Sequence, residues 1–200
     1  MRVLSPAKRE EILSLASQVF AEVGYERASM AEISARVGGS KATLYRYFPS
    51  KKDLFLEVAN NSSRQHFGDS VLARAHSRDE VVQRLHEVGQ VVLPFLLSSD
   101  TIARERMVIA ESGQSDIGLH FFANGPAKGL DAISEFLQYA IDDGWLRPMD
   151  TRVAAAHLLA LWPSEIEPQR LFGVPVDSSP AFLQQAVARA VDVFMRAYAI

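Results

Sequence analysis

Residues 37–51 read VGGSKATLYRYFPSK, a stretch with two glycines, two tyrosines, three cations and no acid. Around it, residues 33–52 hold five Lys or Arg and not one Asp or Glu. Gly38-Gly39 break the helical spacing that ends at Val37, and Ser40 is placed to cap a new short helix. Pro49-Ser50 end that helix and open the next at Lys51. Advancing about 100° per residue from Lys41, Leu44 and Phe48 fall on one side, while Ala42, Thr43 and Arg46 fall opposite, with Tyr45 and Tyr47 on the flanks. The apolar side docks the helix onto its neighbours, and the other side is small at its start and cationic further along. Two short helices joined by a glycine turn, the second built in this way, describe a helix-turn-helix.

That outer face suits a reader of the DNA major groove. Small residues let the helix N-terminus approach base edges, where Thr43 and Arg46 supply hydrogen bonds. The tyrosine hydroxyls and the Lys51 ammonium are placed to reach phosphates, which position a protein without reading sequence. Exposed N–H groups at the starts of the third and fourth helices favour phosphate oxygens as well. So short a helix does not persist alone in water, so its neighbours must hold it. The competing account is a small helical corner with a solvated basic face and two half-buried tyrosines.

Working outward, the apolar spacing is helical almost throughout, and no β-branched alternation is long enough for a sheet. Ser5-Pro6 caps a first helix carrying Ile12, Val19, Phe20 and Val23 on one side, with Gly24 as its left-handed stop and Tyr25 folding back on the last turn. Ser29-x-x-Glu32 is a capping box that opens a second helix through Ile33 and Val37. The fourth helix is expected over roughly 51–74. Further helices are expected over 78–97, with Pro94 kinking or ending it, then 101–112, 116–123, 128–143, 151–162 and 179–198. Asn124-Gly125-Pro126 is a breaker, and Pro163 and Pro168 make the segment between them irregular.

An apolar content of 48% suffices for a packed globular core. The longest apolar stretch, 153–162, is interrupted by His157 and is roughly half of what a bilayer-spanning helix needs. The opening MRVLSPAKREE has no apolar core of a secretory signal, so the expected compartment is cytoplasmic, with no membrane partner. Absence of cysteine excludes disulfides, thiolate metal sites and a Cys nucleophile. The net charge of −3 is uneven: residues 1–64 carry 10 Lys/Arg against 7 Asp/Glu, and 65–200 carry 11 against 17. A basic end on an acidic body points to an anionic partner for that end.

Enzyme chemistry finds no support in the pattern. The five histidines form no i,i+4 pair and no H-E-x-x-H occurs. His66, His76 and His86 are evenly spaced, but ten residues of helix turn through about 280°, so they share no face. Gly38-Gly39-Ser40-Lys41 lacks the spacing and preceding strand of a phosphate loop, and no G-x-S-x-G elbow occurs. Neither a catalytic residue nor a metal or cofactor is expected.

Gly24-Tyr25, Ile33-x-x-x-Val37, Thr43-Leu44-Tyr45-x-Tyr47-Phe48 and Ser50-Lys51-Lys52-x-Leu54 together resemble the N-terminal domain of TetR-family transcriptional regulators, over about residues 8–57. Residues 104–145, with Asn124-Gly125-Pro126-Ala127, look like the C-terminal domain of the AefR-like branch. The resemblance implies an all-α chain with a helix-turn-helix DNA-binding domain over 1–53 and a larger ligand-binding and dimerisation domain over 54–200. It implies a homodimer on a palindromic operator in double-stranded DNA, released by a small-molecule effector and acting as a repressor. Carried over by position, Ser40, Ala42, Thr43 and Arg46 face bases, Tyr45, Tyr47 and Lys51 face phosphates, and Ser29 and Lys41 complete the contact set. Two residues depart from the family pattern: Gly39 replaces the usual aliphatic residue at the turn, and Ser34 stands where alanine is common in a tightly packed helix. The alternative is a helical small-molecule-binding module without specific DNA binding.

In the C-terminal part, Leu130, Ile133, Leu137 and Ile141 form one apolar stripe, and Leu183, Val187, Ala190 and Phe194 form another. Widened by Phe136, Tyr139, Val191 and Tyr198, both exceed what a surface helix buries, which suggests an isologous four-helix dimer interface. Burial within the chain is the competing account. The apolar run 153–162 suggests a central helix. His157 in it is either a satisfied core histidine or a ligand-binding group, with Trp162 and Glu111 beside it and Phe95, Met107, Phe121 and Phe122 as apolar walls.

Overall fold

A computed structural model describes residues 5–66, 72–113 and 115–200, with the side chains of all but 60–66 among them. The chain is all-α, and among the described residues extended backbone pairs at one isolated antiparallel bridge, Leu146 with Ala199. Two compact units divide it: residues 1–63 with 103–124, and 64–102 with 125–200. Val108 and Ile117 are buried in the same apolar cluster as Ile12, Phe20 and Phe55.

The first unit begins with α1 (Pro6–Arg27), capped by the Ser5 hydroxyl, which accepts from the Lys8 amide. Gly24 takes φ 79° and ψ 164°, a positive φ that favours glycine, with ψ outside the left-handed helical range expected of the stop. The helix therefore breaks there and resumes for one turn, closed by the Ala28 amide donating to the Gly24 carbonyl at 3.2 Å. Then come α2 (Met30–Val37), α3 (Lys41–Tyr47) and α4 (Lys51–His66). Residues 72–77 are not helical, so α4 does not reach 74; positions 67–71 and the side chain of His66 lie outside the described residues. Phe20, Phe48, Phe55, Ile12, Ile33, Leu44 and Leu54 are fully buried. The Phe55 ring stands edge-on to Phe20 and Tyr25, with centroids 5.2 and 4.9 Å away, contacts worth about 0.5–1.5 kcal/mol each beyond area burial. Tyr25 also tilts back over Phe20 of α1, with ring centroids 6.0 Å apart, as its position after Gly24 implied.

In the second unit, α5 (Arg78–Leu96) runs through Pro94, which neither stops the helix nor lies in its buried face. Next are α6 (Ser99–Ser112), whose last ten residues belong to the first unit, and α7 (Ile117–Asn124), also of the first unit. α8 (Pro126–Asp142) starts at the breaker itself, since proline suits a first helical position. α9 (Thr151–Leu161) is capped by Asp150 and ends before Pro163, so that proline terminates the helix. A five-residue α10 (Glu167–Leu171) follows where an irregular segment was expected; Pro168 sits in its first turn, where a missing N–H costs nothing. α11 (Pro180–Tyr198) is capped by Ser179.

The core of this unit gathers Val88, Val92 and Leu93 of α5, Phe136 and Leu137 of α8, Leu158 of α9 with Trp162 just beyond it, and Val187 and Phe194 of α11. Gly89 makes that packing possible. A methyl carbon there would lie 2.6 Å from the Trp162 indole nitrogen and 2.6 Å from a Val187 methyl group.

Candidate nucleic-acid interface

The turn between α2 and α3 is built from backbone bonds that a left-handed Gly38 permits. Gly38 takes the left-handed conformation, φ 67° and ψ 23°. Its amide donates to the Ala35 carbonyl at 3.2 Å, and the Gly39 amide to the Ser34 carbonyl at 3.3 Å, which is the Schellman arrangement. Lys8 donates to the Val37 carbonyl at 3.2 Å and closes the helix end from α1. Ser40 then caps α3: its hydroxyl accepts from the Thr43 amide at 3.1 Å and lies 3.0 Å from the Thr43 hydroxyl.

The wheel of α3 is oriented as its spacing implied. Leu44 and Phe48 are buried, with the Arg9 guanidinium 5.3 Å from the Phe48 ring centroid. Lys41, Ala42 and Arg46 are exposed, Tyr45 is 48% exposed, and Thr43 is half-buried. Ser29 and Ser40 are the cap residues of the two helices, and Ser29 accepts from the Glu32 amide at 3.1 Å.

Two members of the contact set are engaged inside the unit. The Tyr47 hydroxyl accepts from the Ser5 amide at 2.9 Å and so ties α3 to the start of α1. Lys51 donates to the Tyr25 and Glu26 carbonyls at 2.8 and 3.2 Å, with its ammonium 4.3 Å from the Tyr25 ring centroid. These carbonyls lie in the turn that the break at Gly24 creates, so Lys51 straps that turn to the start of α4. Nearby, Lys52 donates to Asp116 at 2.6 Å, which holds that carboxyl below its ordinary range. Arg36 does the same for Glu22 at 2.5 Å. The sequence pattern drew attention to Ser34 only as a departure; here it is 3% exposed and donates its hydroxyl to the Gly39 carbonyl at 2.9 Å.

The residues expected to line a ligand pocket fall in both units. Met107, Glu111, Phe121 and Phe122 belong to the first unit, where Met107 and Phe121 pack on its core and Phe122 is exposed. Phe95, His157 and Trp162 belong to the second unit. Trp162 is fully buried, whereas His157 is exposed and hydrogen-bonded to the Tyr198 hydroxyl. The helix that carries it is not central: Ala154, Ala155 and Leu158 point inward, while Val153, Ala156, His157 and Ala160 are exposed. Small alanines made the run look apolar all round without filling a core on every side. A cleft of about 360 Å³ in this unit is lined by Arg74, His76, Asp143 and Trp145, none of which the sequence pattern singled out. Arg74 forms a bidentate pair with Asp143 there, at 2.6 and 3.0 Å.

The expected dimer stripes also face the other way. Ile133, Leu137, Leu183, Val187, Ala190 and Phe194 are buried in the chain's own core, with Leu130 and Ile141 half-buried against it. They are the inward faces of α8 and α11, and burial within the chain consumes them. Among the described residues, no helix is long and apolar enough to cross a membrane.

Residues 83–200 match the family profile described as the AefR-like transcriptional repressor C-terminal domain, and residues 12–58 match bacterial regulatory proteins of the tetR family. The nucleoid occlusion factor SlmA of Haemophilus influenzae is 26% identical over 187 residues, 89% of this chain and 82% of that protein. The HTH-type transcriptional activator FasR of Mycolicibacterium smegmatis is 47% identical over 51 residues, 26% of this chain and 23% of that protein. Among solved structures, a TetR family transcriptional regulator from Pseudomonas syringae pv. tomato aligns with a TM-score of 0.75 at 27% identity, over 98% of this chain and 99% of that one.

Proposed function

The chain belongs to the TetR family of bacterial regulatory proteins and is a DNA-binding transcriptional regulator; from that premise we propose a homodimeric repressor that leaves a palindromic operator when a small molecule binds its C-terminal domain. The observation that carries the DNA side is the outward face of α3. Lys41, Ala42, Tyr45 and Arg46 are exposed on a helix whose other face is buried, inside a window of the sequence that has no acid. Ser40, Ala42, Thr43 and Arg46 are the base-facing set, and Ser29, Lys41 and Tyr45 are phosphate contacts. Lys51 and Tyr47 act from behind, holding the turns that present α3, and their contribution to phosphates comes second to that.

For the dimer, the outward faces of α9 and α11 replace the stripes that the core uses. Val153 and Val193 are 48% and 49% exposed there, and Ala156, Ala160 and Ala188 are exposed on the same two helices. Two such faces related by a two-fold axis form a four-helix contact, and the reading helices then stand about 34–36 Å apart to match one DNA turn. The functional division is a DNA-binding domain over 1–53 and a ligand-binding and dimerisation domain over 54–200. A solved structure of the same fold, at 25% identity and a TM-score of 0.80, is named a flavonoid-responsive regulator, which supports a small-molecule effector for this chain. The protein acts in the cytoplasm, as a regulator and not an enzyme.

The test is selection of bound duplexes from a random pool at two salt concentrations. The reading expects an enriched palindrome and a steep loss of affinity with salt. A folded, effector-free protein that retains no duplex at low salt is a helical binding module instead, and the reading fails.

A further inference from the structure

Ser34 and Gly39, the two departures from the family pattern, are each other's partners. The Ser34 carbonyl accepts from the Gly39 amide at 3.3 Å, and the Ser34 hydroxyl donates to the Gly39 carbonyl at 2.9 Å. Both peptide groups of the residue just before the α3 cap are therefore held by one residue of α2. The first bond belongs to any Schellman turn, because it uses backbone only. The second exists only because a hydroxyl stands at position 34, in a site 3% exposed where an unpaired polar group would be costly.

Gly39 gives this second bond its purpose. It does not have a positive φ, so its backbone conformation does not require glycine. A methyl carbon there would meet nothing closer than a Val37 methyl group at 4.0 Å, an ordinary contact. What glycine brings is freedom of the chain between α2 and α3, and nothing about its surroundings demands that freedom. An aliphatic side chain would restrain the turn by its own bulk, whereas here the restraint comes from the Ser34 hydroxyl.

We propose that Ser34 is a positioning residue for DNA readout, whose hydroxyl fixes the angle at which α3 leaves the turn by clasping the Gly39 carbonyl. The proposal rests on α3 being the base-reading helix. Ser34 touches no DNA. It acts on Ser40, Ala42, Thr43 and Arg46 through Gly39, the residue just before the α3 cap. A serine-to-alanine change in a helix is neutral or favourable for helix propensity, so loss of the clasp shows in the placement of α3 before it shows in overall stability.

The experiment compares Ser34→Ala, Gly39→Ala and the double variant with the wild type, using the duplex that the wild-type protein enriches from a random pool. For Ser34→Ala, the ratio of affinities for that duplex over a scrambled one falls about five-fold, the weight of one ordinary hydrogen bond. The thermal midpoint and the salt slope stay as in the wild type. Gly39→Ala restores most of the ratio in the double variant, because a side chain at the turn makes the clasp redundant. Amide hydrogen exchange in free protein gives a second readout without DNA: the Thr43 and Leu44 amides of Ser34→Ala exchange several-fold faster, relative to α1 amides, than in the wild type. If the wild type enriches no duplex, the operator reading fails while the exchange result still decides the clasp. An unchanged ratio and unchanged exchange in Ser34→Ala would overturn the proposal. So would a loss from Ser34→Ala that is the same with and without the Gly39→Ala change.

Discussion

The α2–α3 corner and the α8–α9–α11 body solve opposite problems with the same helical geometry. In the corner, each helix has one apolar face and that face is spent on the unit's own core: Leu44 and Phe48 are buried, and Lys41 and Arg46 stand outside. Its turns are tied by side chains, Lys8 on Val37, Ser34 on Gly39, Tyr47 on the Ser5 amide and Lys51 on Tyr25. In the body, apolar residues lie on both sides of a helix, Phe194 inward and Val193 outward on α11, Leu158 inward and Ala160 outward on α9. A surface that must meet DNA keeps apolar groups out of water and holds its frame rigid. The proposed dimer surface instead leaves valine and alanine exposed, to be covered by a second copy.

The sharpest way to break this contrast is to put a charge on each side of one body. Leu137→Asp buries an unpaired carboxylate at a fully enclosed site, a penalty of several kcal/mol against a domain stability of about 5–15 kcal/mol. The second unit should lose its cooperative thermal transition. Val193→Asp should keep the helical signal and move the protein from dimer to monomer in sedimentation. Folded Leu137→Asp protein with unfolded Val193→Asp would reverse the assignment of faces.

Next in size is Phe48→Ala, which empties a fully buried aromatic site and should cost about 3–5 kcal/mol of stability by denaturant titration. Tyr45→Ala, one turn away on the outer side, should stay within about 0.5 kcal/mol and lower duplex affinity instead. Equal stability losses for the two would mean that α3 is docked the other way round. Gly89→Ala should cost about 1–3 kcal/mol, since its methyl group meets Trp162 and Val187 within the core; an unchanged melting temperature would show that those helices separate at little cost.

The smallest effect concerns acid. The Asp116 and Glu22 carboxyls are held below their ordinary range, first by hydrogen bonds from Lys52 and Arg36. A depressed folded value stabilises above the unfolded value and is lost as pH falls through the ordinary carboxylate range and below it. Melting temperature should therefore drop slightly more on acidification in the wild type than in Asp116→Asn, and parallel curves would deny the Lys52 contact in solution.

The corner was legible because polarity is asymmetric there. Once Leu44 and Phe48 share a side, the cations have only the opposite side to occupy, and Ser29, Ser40 and the glycine turn mark the ends. The body was legible only as helices. On α8 and α11 the stripe through Leu137 and that through Phe194 were correctly seen as apolar, but no charge pattern says whether such a stripe meets its own chain or a partner. Likewise His157 looked enclosed because alanines flank it, although it lies on the exposed side of α9. The bond between Ser34 and Gly39 is invisible in a linear pattern, since each residue taken alone is an ordinary substitution.

The central claim is that the outward face of α3 reads bases, and Arg46→Ala tests it most directly. Wild-type and variant proteins are each used to select duplexes from the same random pool, and the enriched sites are compared position by position. The account predicts that the variant loses preference at one base pair of each half-site, worth about 1–3 kcal/mol, while the remaining positions keep theirs. An identical base profile for the two proteins would contradict it.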